Sequence, residues 1–567
     1  MAFKKHVVEL LDKFTDLSKE EIEKLLEIPP DTSLGDYAFP CFALARILKK
    51  SPQEIAQKLV GEIPVKDPIE KITFVGPYVN FFVNKSSFAK QILTQPLVLP
   101  NLKMMGLPES VMIEYPSPNT NKPLHFGHVR NMSIGCSISK IYKYLGAKVI
   151  QADLVNDRGI HICKSMLAYK KFGENKEPDK KSDHFVGDFY VLYNKKLAED
   201  PNLEKEAQEM LVKWEDGDIE TIKLWKKMNK WALDGISKTY KLFGVNHDIV
   251  YYESEIYKEG KEIVEDGFER GIFKKDETGA TVCPLSQFPG MKDKVLLRSD
   301  GTSIYIVQDI FLAKKKFDDF NMQKSVYVVG NEQIYHFQVL FKILEMLEFP
   351  FAKDCFHLAH GMVFLPEGRM KSREGTTADA DDILDDMYLM SRAEVVKRHK
   401  DLEEGEIKKR ATQIALGAIK FFLLRTDPKK DMIFNPKESL SFEGETGPYV
   451  QYAHARICSI LGRLDTEKLA TNVDFSVLQD KSEIELIQLL SQFNQMAGEA
   501  ALGYKPSIVC RYLLDLSQKF NEFYHKCPVL QAESEQLKNA RLLLVNKIKE
   551  VIKEGLQLLG IDAPEAM

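Results

Sequence analysis

The stretch from residue 111 to residue 145 constrains the fold of this chain more than any other part of the sequence. It reads VMIEYPSPNTNKPLHFGHVRNMSIGCSISKIYKYL: an apolar run at 111–113, a loop rich in proline and asparagine, and then apolar residues at helical spacing. Gly146 follows as a helix stop. The pattern predicts a strand, a loop and a helix, which is the unit from which parallel sheets are built.

Two histidines, His125 and His128, flank Phe126-Gly127 where this helix is expected to begin. A helix N-terminus offers free backbone N–H groups and a positive dipole end, and a glycine lets a ligand approach the backbone closely. Each imidazole can donate a hydrogen bond to a phosphoryl oxygen and stabilise charge that develops on it during transfer. The motif predicts a phosphate site, although taken alone it also fits histidines that have no function.

Composition predicts a large protein of several domains. A length of 567 residues with 44% hydrophobic residues predicts roughly three or four domains. The apolar runs are far shorter than the ~18 residues of a membrane span, and the N-terminus lacks a signal-peptide core, so we expect a cytoplasmic protein. The eight cysteines form no CxxC pair, which argues against a disulfide framework and a zinc site. A net charge of -5 argues against a uniformly basic nucleic-acid surface but allows a local one.

Residues 1–100 carry the pattern of a small α+β domain. Ser51 precedes a proline at the first position of an expected helix, and the stretch 72–84, ITFVGPYVNFFVN, alternates like two strands around a Gly-Pro turn. The proline-rich stretch 95–110 predicts a linker. Three aromatic side chains of this domain can either pack in its core or contact nucleic acid: Tyr78, Phe81 and Phe82.

From residue 111 to about 388 the sequence alternates between strands and helices, as in a parallel α/β sheet. Residues 148–161 predict a strand followed by the polar turn NDRG, and residues 325–347 predict a buried strand, a Gly-Asn loop and an amphipathic helix. The stretch 299–317 also predicts a strand that leads into a helix. Between about residues 165 and 245 the chain is rich in charged residues, and its apolar residues recur at helical spacing, which indicates a helical insertion. The lysine-rich face of this insertion is either solvated surface or a nucleic-acid contact.

Beyond about residue 390 the sequence is helical almost throughout. Apolar residues recur at i, i+3 and i+4, as Leu537, Leu544 and Ile548 show near the C-terminus. The pattern predicts an all-α bundle. The sequence has no heptad pattern long enough for a coiled coil and no internal repeat with a period of roughly 20–50 residues.

A second polar loop, GRMKSREGTT at 368–377, combines glycines with basic and hydroxyl side chains. Such a loop can close over a triphosphate, where Lys371 and Arg373 would neutralise charge on the leaving pyrophosphate. Alone, it is also typical of a solvated surface loop. Its order in the chain is informative, because it follows the HFGH motif by about 240 residues and comes after the last expected parallel strand.

This arrangement resembles the HIGH and KMSKS elements of class I aminoacyl-tRNA synthetases. Within that class, several stretches are similar to arginyl-tRNA synthetases: EYPSPNTNKPLHFGHVRN, NDRGIH, SDGTSIYIVQDI, YVVGNEQIYHF and GPYVQYAHAR. Near the N-terminus, LGDYAF and VGPYVNFFVN are similar to that family's additional domain. The resemblance covers the chain nearly from end to end.

The resemblance implies an α/β fold with a Rossmann-type parallel-sheet catalytic domain. It also implies an additional α+β domain at 1–100 that contacts tRNA, a catalytic domain at 110–388 with the insertion at about 165–245, a helical connecting region at 389–445 and an all-α anticodon-binding domain at 446–567. The activity implied is ATP-dependent activation of L-arginine to arginyl-adenylate and transfer of arginine to tRNA(Arg), with release of AMP and pyrophosphate.

The resemblance also implies the roles of individual residues. The residues implied in catalysis are His125, His128, Lys122, Lys371 and Arg373. The residues implied in binding ATP, taken as its complex with Mg²⁺, are Pro118, His125, Gly127, His128, His336, Met370, Lys371 and Ser372. The residues implied in binding arginine are Glu114, Ser117, Asn119, Tyr305, Asp309 and Gln333. The residues implied in binding tRNA are Tyr449, Tyr452 and Arg456.

The proposed amino-acid pocket makes physical sense for arginine. A guanidinium is planar, cationic and rich in donors, so its pocket requires carboxylates and neutral acceptors in a matching geometry. Glu114 and Asp309 are expected to make the charged contacts, unless they merely end a strand and begin a helix. Tyr449 and Tyr452, three residues apart, share a helix face, which fits either a base-stacking platform or a packed core.

One departure from the family pattern concerns the second motif, which reads RMKSRE at 369–374. The second lysine of KMSKS is not clearly present, and Glu374 places an opposite charge beside the motif. In this family such a loop is common, Lys122 is thought to compensate, and bound tRNA is typically needed before arginine is activated. The separate roles of Lys371 and Arg373 therefore stay open.

Two other classes of function remain open on the sequence alone. One is another class I enzyme or a simple nucleotidyltransferase, although the missing CxxC pairs argue against zinc-bearing members and the C-terminal bundle exceeds what a bare nucleotidyltransferase needs. The other is an inactive tRNA-binding scaffold, against which the intact HFGH motif, Glu114 and Asp309 argue. We expect a monomer with no structural metal and no membrane partner.

Overall fold

The computed structural model describes residues 2–96, 99, 102–103, 105–366, 379–462 and 473–567. The chain divides into two compact units. The first comprises Met1–Val98, Arg456–Asn494 and Asp515–Ile552, and the second comprises Leu99–Ala455, Gln495–Leu514 and Lys553–Met567. Within these described ranges, none of the helices combines the length and the apolar character that a membrane span needs.

The N-terminal part of the first unit is an α+β fold around a three-stranded antiparallel sheet of order β1-β3-β2. Its elements are α1 (Ala2–Asp12), α2 (Lys19–Leu25), β1 (Tyr37–Pro40), α3 (Phe42–Leu48), α4 (Pro52–Glu62), β2 (Ile69–Val75), β3 (Tyr78–Val83) and α5 (Lys85–Thr94). Ser51 caps α4, since its hydroxyl oxygen accepts a hydrogen bond from the backbone N–H of Glu54 at 3.2 Å. Phe81 is buried in the core and therefore does not face nucleic acid, whereas Tyr78 and Phe82 are half-buried.

The second unit contains the remaining strands and most of the helices. The strands are β4 (Ser110–Glu114), β5 (Lys148–Val155), β6 (Ile249–Tyr252), β7 (Lys274–Lys275), β8 (Thr281–Cys283), β9 (Lys294–Leu297), β10 (Lys324–Gly330), β11 (Cys355–His360), β12 (Val363–Phe364) and β13 (Met432–Ile433). The helices up to residue 440 are α6 (Phe126–Tyr144), α7 (Ile160–Phe172), α8 (Ser182–Glu199), α9 (Leu203–Glu215), α10 (Ile219–Phe243), α11 (Glu253–Ile256), α12 (Lys261–Glu269), α13 (Tyr305–Phe320), α14 (Ile334–Met346), α15 (Ala380–Arg398), α16 (Glu404–Leu424) and α17 (Pro436–Ser439).

Five parallel strands form the central sheet of this unit, in the order β11-β10-β4-β5-β6. From β4 the chain moves to β5 and β6 on one side, and later to β10 and β11 on the other. The strand order thus reverses between β4 and β10. In open α/β sheets, ligands bind at the carboxyl ends of the strands at such a reversal.

The residues before α13 do not form the strand that the sequence predicts there. Residues 299–302 form a tight turn, in which the side chain of Asp300 accepts hydrogen bonds from the backbone N–H and the hydroxyl of Thr302, at 2.9 and 2.7 Å. Ser303 makes only an isolated bridge to Leu297. The prediction of a strand is wrong because the chain reverses at this turn and pairs only with the end of β9: the N–H of Arg298 donates to the carbonyl of Thr302 at 2.8 Å, and the N–H of Ile304 donates to the carbonyl of Leu296 at 3.1 Å.

In the described ranges 447–462 and 473–567, the α-helices are α18 (Gly447–Leu461), α19 (Lys481–Ser491), α20 (Phe493–Gly503), α21 (Pro506–Lys526) and α22 (Glu535–Leu558). Within the first unit, a buried ion pair joins two of them: the Nε of Arg541 donates to Glu483 at 2.6 Å. The observed helices agree with the apolar periodicity of this region.

Candidate active site

A cavity of about 980 Å³ opens at the carboxyl ends of the parallel strands, next to the boundary between β4 and β10. Its size is at the upper end of the ~300–1,000 Å³ that is typical of ligand pockets. Ten of the residues predicted to bind ATP or arginine line this cavity: Glu114, Ser117, Asn119, His125, Gly127, His128, Tyr305, Asp309, Gln333 and His336. Their separate roles stay predictions, but the structure gathers them around one space.

The two histidines of the first motif stand together at the start of α6. Their ring centroids are 3.8 Å apart, and the backbone N–H of His125 donates to Nδ1 of His128 at 3.1 Å. Burial, followed by the charge of Lys122, lowers the pKa of His125 to about 4. Burial and the neighbouring charges of His125 and Lys122 also lower the pKa of His128 well below its ordinary value. Both imidazoles are therefore neutral near pH 7, and His128 carries its proton on Nε2.

Gly127 makes room for the His125 ring rather than for the ligand directly. A Cβ atom at position 127 would lie 2.9 Å from Cε1 and 3.0 Å from Nδ1 of that ring. The absence of a side chain therefore lets the imidazole lie over the first turn of α6. The ring in turn becomes part of the cavity wall.

The loop after β4 is held in an unusual backbone conformation at Ser117, whose φ is +57°. Its backbone N–H donates to Oδ1 of Asp153 at 3.0 Å, and Tyr240 donates to the other oxygen of the same carboxylate at 3.0 Å. Burial raises the pKa of Asp153 to about 7. Left-handed backbone at a residue other than glycine is strained, and such strain is often found at functional sites.

Glu114, at the end of β4, is buried and forms an ion pair with Lys316 of α13. The ammonium also lies 4.6 Å from the ring centroid of Tyr327. Both charged side chains line the cavity. The carboxylate predicted to meet the guanidinium therefore already has a cationic partner within the protein.

Asp309 also has a partner, because Nε2 of His336 lies 2.9 Å from its Oδ2. His336 is predicted to line the adenine side, yet it contacts a residue predicted for arginine. Tyr305 is 64% exposed at the start of α13, and Gln333 is exposed at the start of α14. These two side chains are free to adjust to a ligand, whereas the Asp309–His336 pair is fixed at its position by both helices.

Of the described residues that were predicted for catalysis or for binding ATP and arginine, two do not line the cavity, namely Pro118 and Lys122. The carbonyl of Pro118 accepts a hydrogen bond from the backbone N–H of Asn156 at 2.9 Å, which ties the loop to the end of β5. Lys122 is half-buried, and burial lowers its pKa. Its charge nevertheless acts on both histidines of the first motif, as their lowered pKa values show.

The predicted residues of the second motif, Met370, Lys371, Ser372 and Arg373, lie outside the described residues. Asp379, which follows this motif, is described: it forms an antiparallel bridge with His125, and the N–H of Ala380 donates to the carbonyl of Leu124 at 3.0 Å. The chain that follows the second motif is thus joined by its backbone to the first motif.

Beside this bridge, three side chains come close enough to hold a metal ion: Asp183, His184 and Asp381. However, Nζ of Lys181 lies 2.8 Å from Asp183 and 2.7 Å from Asp381. Nε2 of His184 lies 2.7 Å from the same oxygen of Asp381. The lysine therefore supplies the positive charge that a metal ion would bring, and the cluster joins α8 to the start of α15.

The residues predicted to bind tRNA have contacts within the protein. Tyr452 is 39% exposed, with its ring edge-on to Phe442 at 6.4 Å, and Tyr449 is half-buried. In the first unit, the guanidinium of Arg456 lies 4.6 Å from the ring centroid of Tyr524. Of the two tyrosines, Tyr452 offers more surface to a base.

Three family models match the chain in order. The model described as "Arginyl tRNA synthetase N terminal domain" matches residues 1–83, "tRNA synthetases class I (R), catalytic domain" matches 92–436, and "DALR anticodon binding domain" matches 450–567. The chain belongs to the arginyl-tRNA synthetase family. ATP is the nucleotide substrate of this class of catalytic domain.

Similarity to individual proteins supports the same membership in the arginyl-tRNA synthetase family. An arginine–tRNA ligase of Treponema denticola is 44% identical over 98% of this chain and 98% of its own length. The ligase of Parabacteroides distasonis is 42% identical over 94% of each chain. The solved arginyl-tRNA synthetase of Thermus thermophilus has a TM-score of 0.83 with 29% identity, over 100% of this chain and 99% of that one.

The family resemblance predicted from the motifs is therefore confirmed. The fold class is also confirmed, with its parallel-sheet α/β catalytic domain, its N-terminal domain and its helical C-terminal domain. The alternative of another class I enzyme is excluded by the family models. The exact domain boundaries stay predictions.

Several residues that line the cavity were not predicted from the sequence. Lys316, Glu253 and Gln308 line the cavity, and Gln308 donates to Glu253 at 3.3 Å. Lys316 could have been found from its spacing, since it lies seven residues after Asp309 and so on the same helix face. His360 could have been found because it ends β11, at the carboxyl edge of the sheet.

Proposed function

We propose that this chain is an arginine–tRNA ligase. It activates L-arginine with MgATP to form arginyl-adenylate and pyrophosphate, and then transfers arginine to tRNA(Arg), releasing AMP. The single observation that carries the proposal is the cavity itself, which puts the histidines at the start of α6 and the carboxylates of Glu114 and Asp309 around one space. One wall suits phosphate and the other suits a guanidinium.

The first step requires in-line attack of the arginine carboxylate at the α-phosphate, with pyrophosphate leaving. Positioning and stabilisation of charge carry such a reaction, rather than an acid–base residue. Because His125 and His128 are neutral, each offers an N–H donor to phosphate oxygens and no net charge. The positive charge must then come from Lys122, from Lys371 and Arg373 of the second motif, and from Mg²⁺ that enters with ATP.

The arginine side chain is proposed to lie against α13. Asp309 offers a carboxylate that is 22% exposed, and Glu114 offers a second one deeper in the cavity. Asn119, Ser117, Tyr305 and Gln333 add neutral polar groups. A lysine side chain cannot match a bidentate arrangement, so it would leave acceptors unpaired at a cost of about 1–3 kcal/mol each.

The tRNA is proposed to contact the helical C-terminal domain and the N-terminal α+β domain. Tyr452 is the candidate for stacking on an anticodon base, and Arg456 is a candidate for a phosphate contact. The enzyme is further proposed to act as a monomer in the cytoplasm. Light scattering of the purified protein tests the oligomeric state, and a dimer mass contradicts the monomer.

The proposed activity is tested by ATP–pyrophosphate exchange with each of the twenty amino acids, in the presence and absence of total tRNA. We expect exchange with arginine alone, and stronger exchange when tRNA is present. Exchange with another amino acid contradicts the proposal. A protein that binds tRNA but shows no exchange under either condition is an inactive scaffold.

The proposed pocket is tested with Asp309→Asn and Glu114→Gln. Each change removes a negative charge that would face the guanidinium, so we expect the arginine KM to rise at least ~10-fold while the ATP KM stays within ~2-fold. The exposed pair Lys315 and Asp319 provides a control on the same helix: Asp319→Asn should change neither KM. An equal rise of both KM values in Asp309→Asn contradicts the assignment.

A further inference from the structure

The floor of the cavity contains a charged lysine that the proposed mechanism does not use. Lys316 lies on α13 with a side chain that is 1% exposed, and its Nζ contacts Oε2 of Glu114, whose side chain is 6% exposed. The ammonium lies over the ring of Tyr327 at 4.6 Å and near that of Tyr251 at 5.9 Å. A buried cation of this kind is costly unless it is fully paired.

The place of this pair relative to Asp309 is set by one helix. Lys316 follows Asp309 by seven residues, so both side chains lie on the same face of α13, about 10 Å apart along its axis. Both line the cavity together with Leu312, which lies between them in the sequence. The cavity therefore has an outer carboxylate, an apolar middle and an inner ion pair.

We propose that Lys316 is a positioning residue that sets the specificity of this pocket for a guanidinium. It holds Oε2 of Glu114, so that the carboxylate keeps one orientation and turns its other oxygen, Oε1, toward the substrate. The inference rests on the proposed function, since it assumes that Glu114 meets the arginine side chain. It goes further by naming the residue that orients that carboxylate.

The chemical consequence concerns neutral analogues of arginine. Citrulline has the shape of arginine, but a urea oxygen replaces one nitrogen and the group carries no charge. A carboxylate held in a fixed orientation at Glu114 rejects citrulline, because it would face the urea oxygen or lose a charged donor. Without Lys316, the carboxylate of Glu114 loses the contact that fixes its Oε2 and can turn away from the guanidinium, so the pocket distinguishes the charged fork of arginine from the urea of citrulline less well.

The experiment compares Lys316→Met, Lys316→Arg and the wild-type enzyme in ATP–pyrophosphate exchange with tRNA present, using arginine and citrulline as substrates. For Lys316→Met we expect the arginine KM to rise about ten-fold, the ATP KM to stay within about two-fold, and the preference for arginine over citrulline to fall about ten-fold. Lys316→Arg keeps a cation and should restore the preference to within about three-fold of the wild type.

The neighbouring residue provides a matched control. Lys315 lies on the same helix, but it is 39% exposed and pairs with Asp319 at 2.9 Å. Lys315→Met removes the same charge from α13 without touching Glu114. It should change neither the arginine KM nor the rejection of citrulline, since a screened surface ion pair contributes little.

The double variant Glu114→Gln/Lys316→Met tests whether Lys316 acts through Glu114. It removes both members of the ion pair and therefore leaves no unpaired buried charge that would prevent folding. Glu114→Gln alone leaves a lone buried cation that repels the guanidinium, so removing Lys316 from this background should leave the arginine KM equal or lower. A further rise in the double variant overturns the inference. The inference also fails if Lys316→Met behaves like the wild type while Glu114→Gln raises the arginine KM. In that case the proposed arginine pocket is still supported. If Glu114→Gln itself has no effect, the placement of Glu114 in the pocket fails instead.

Discussion

The backbone N–H of His125 donates a hydrogen bond to Nδ1 of His128 across the first turn of α6, over 3.1 Å. The second histidine of the motif therefore has one observed function, as a cap, and one proposed function, at the phosphate. Its Nδ1 satisfies a donor at the helix N-terminus, and its Nε2 carries the proton that can meet a phosphate.

Substitutions of His128 can separate these two functions. The oxygen of an asparagine can replace Nδ1 as an acceptor but leaves no donor in the place of Nε2. We expect His128→Asn to keep the melting temperature and to lose about 10²–10³-fold in exchange rate, as for other lost transition-state donors. His128→Ala should lose the activity and also about 1 kcal/mol of stability, the usual cost of a lost cap. Equal melting temperatures for the two variants contradict the capping function.

Gly127→Ala should affect activity much more than stability. The new Cβ would lie 2.9 Å from Cε1 of His125, so the imidazole must move, while the helix itself tolerates alanine. We expect a large loss of exchange rate with a melting temperature close to that of the wild type. Gly61→Ala on α4 is the matched control, because a Cβ there has no atom within 4 Å. That change should leave activity intact and raise stability by about 0.5–1 kcal/mol. An active Gly127→Ala enzyme contradicts the importance of the ring position.

His336→Ala decides between two roles for that side chain. If its 2.9 Å contact with Asp309 matters, the arginine KM should rise by about three-fold or more, because the carboxylate loses the group that orients it. If the ring instead supports adenine, the ATP KM should rise. We expect the first result, which steady-state exchange kinetics measure directly. A change confined to the ATP KM supports the prediction made from the family resemblance.

Lys122→Ala should slow the activation step without weakening tRNA binding. The loss of one positive charge near the phosphates should cost about ten-fold or more in exchange rate. Because the charge of Lys122 helps to lower the pKa of His125 to about 4, its removal should also raise that pKa. An NMR titration of the imidazole tests the second effect, and a filter-binding assay with tRNA tests the control. An unchanged exchange rate means that Lys122 is structural.

The cluster around Asp381 predicts a dependence of stability on pH. Burial lowers the pKa of His184, but its hydrogen bond to Asp381 and the charges of Asp379 and Asp183 outweigh burial, so its pKa is raised. Its stabilising effect is then fully present below its ordinary pKa of 6.5 and is lost as the pH rises through the folded value.

Thermal unfolding of His184→Gln between pH 5 and 9 measures this contribution. The difference in melting temperature between the wild type and the variant should shrink as the pH rises above 6.5 and through the raised pKa of the folded state. His6→Gln, on α1, controls for the loss of a histidine elsewhere. A constant difference between wild type and His184→Gln contradicts the ion-pair origin of the effect.

Much of the central fold was predictable because its signals are local. The strand, loop and helix around His125 follow from apolar periodicity, and so do β10 and α14. The turn at Asp300 was missed because side-chain hydrogen bonds override the apolar pattern there. The short strands β7, β8 and β9 span two to four residues and leave no periodic signal.

The composition of the cavity was predictable, but the pairing of its charges was not. The motif around Glu114 carries this residue to the carboxyl edge of the sheet, as the rule for parallel strands requires. Asp309 lies within α13, and only the family resemblance predicted that it would line the same cavity. That Lys316 neutralises Glu114 and that His336 contacts Asp309 depend on how α13 and α14 pack. No periodicity in one chain encodes such a pairing, because the partners lie 202 and 27 residues apart.

The fully buried guanidinium of Arg130, on the same helix as the HFGH motif, donates to backbone carbonyls that include those of Gly361 and Lys430, each at 2.7 Å. These partners lie 231 and 300 residues further along the chain. At the usual ribosomal rate, on the order of tens of seconds separate their synthesis from that of the motif. During that interval the nascent chain contains both histidines but not the carbonyls that anchor their helix. A chain that ends at a premature stop before residue 361 therefore contains the HFGH motif without a completed site.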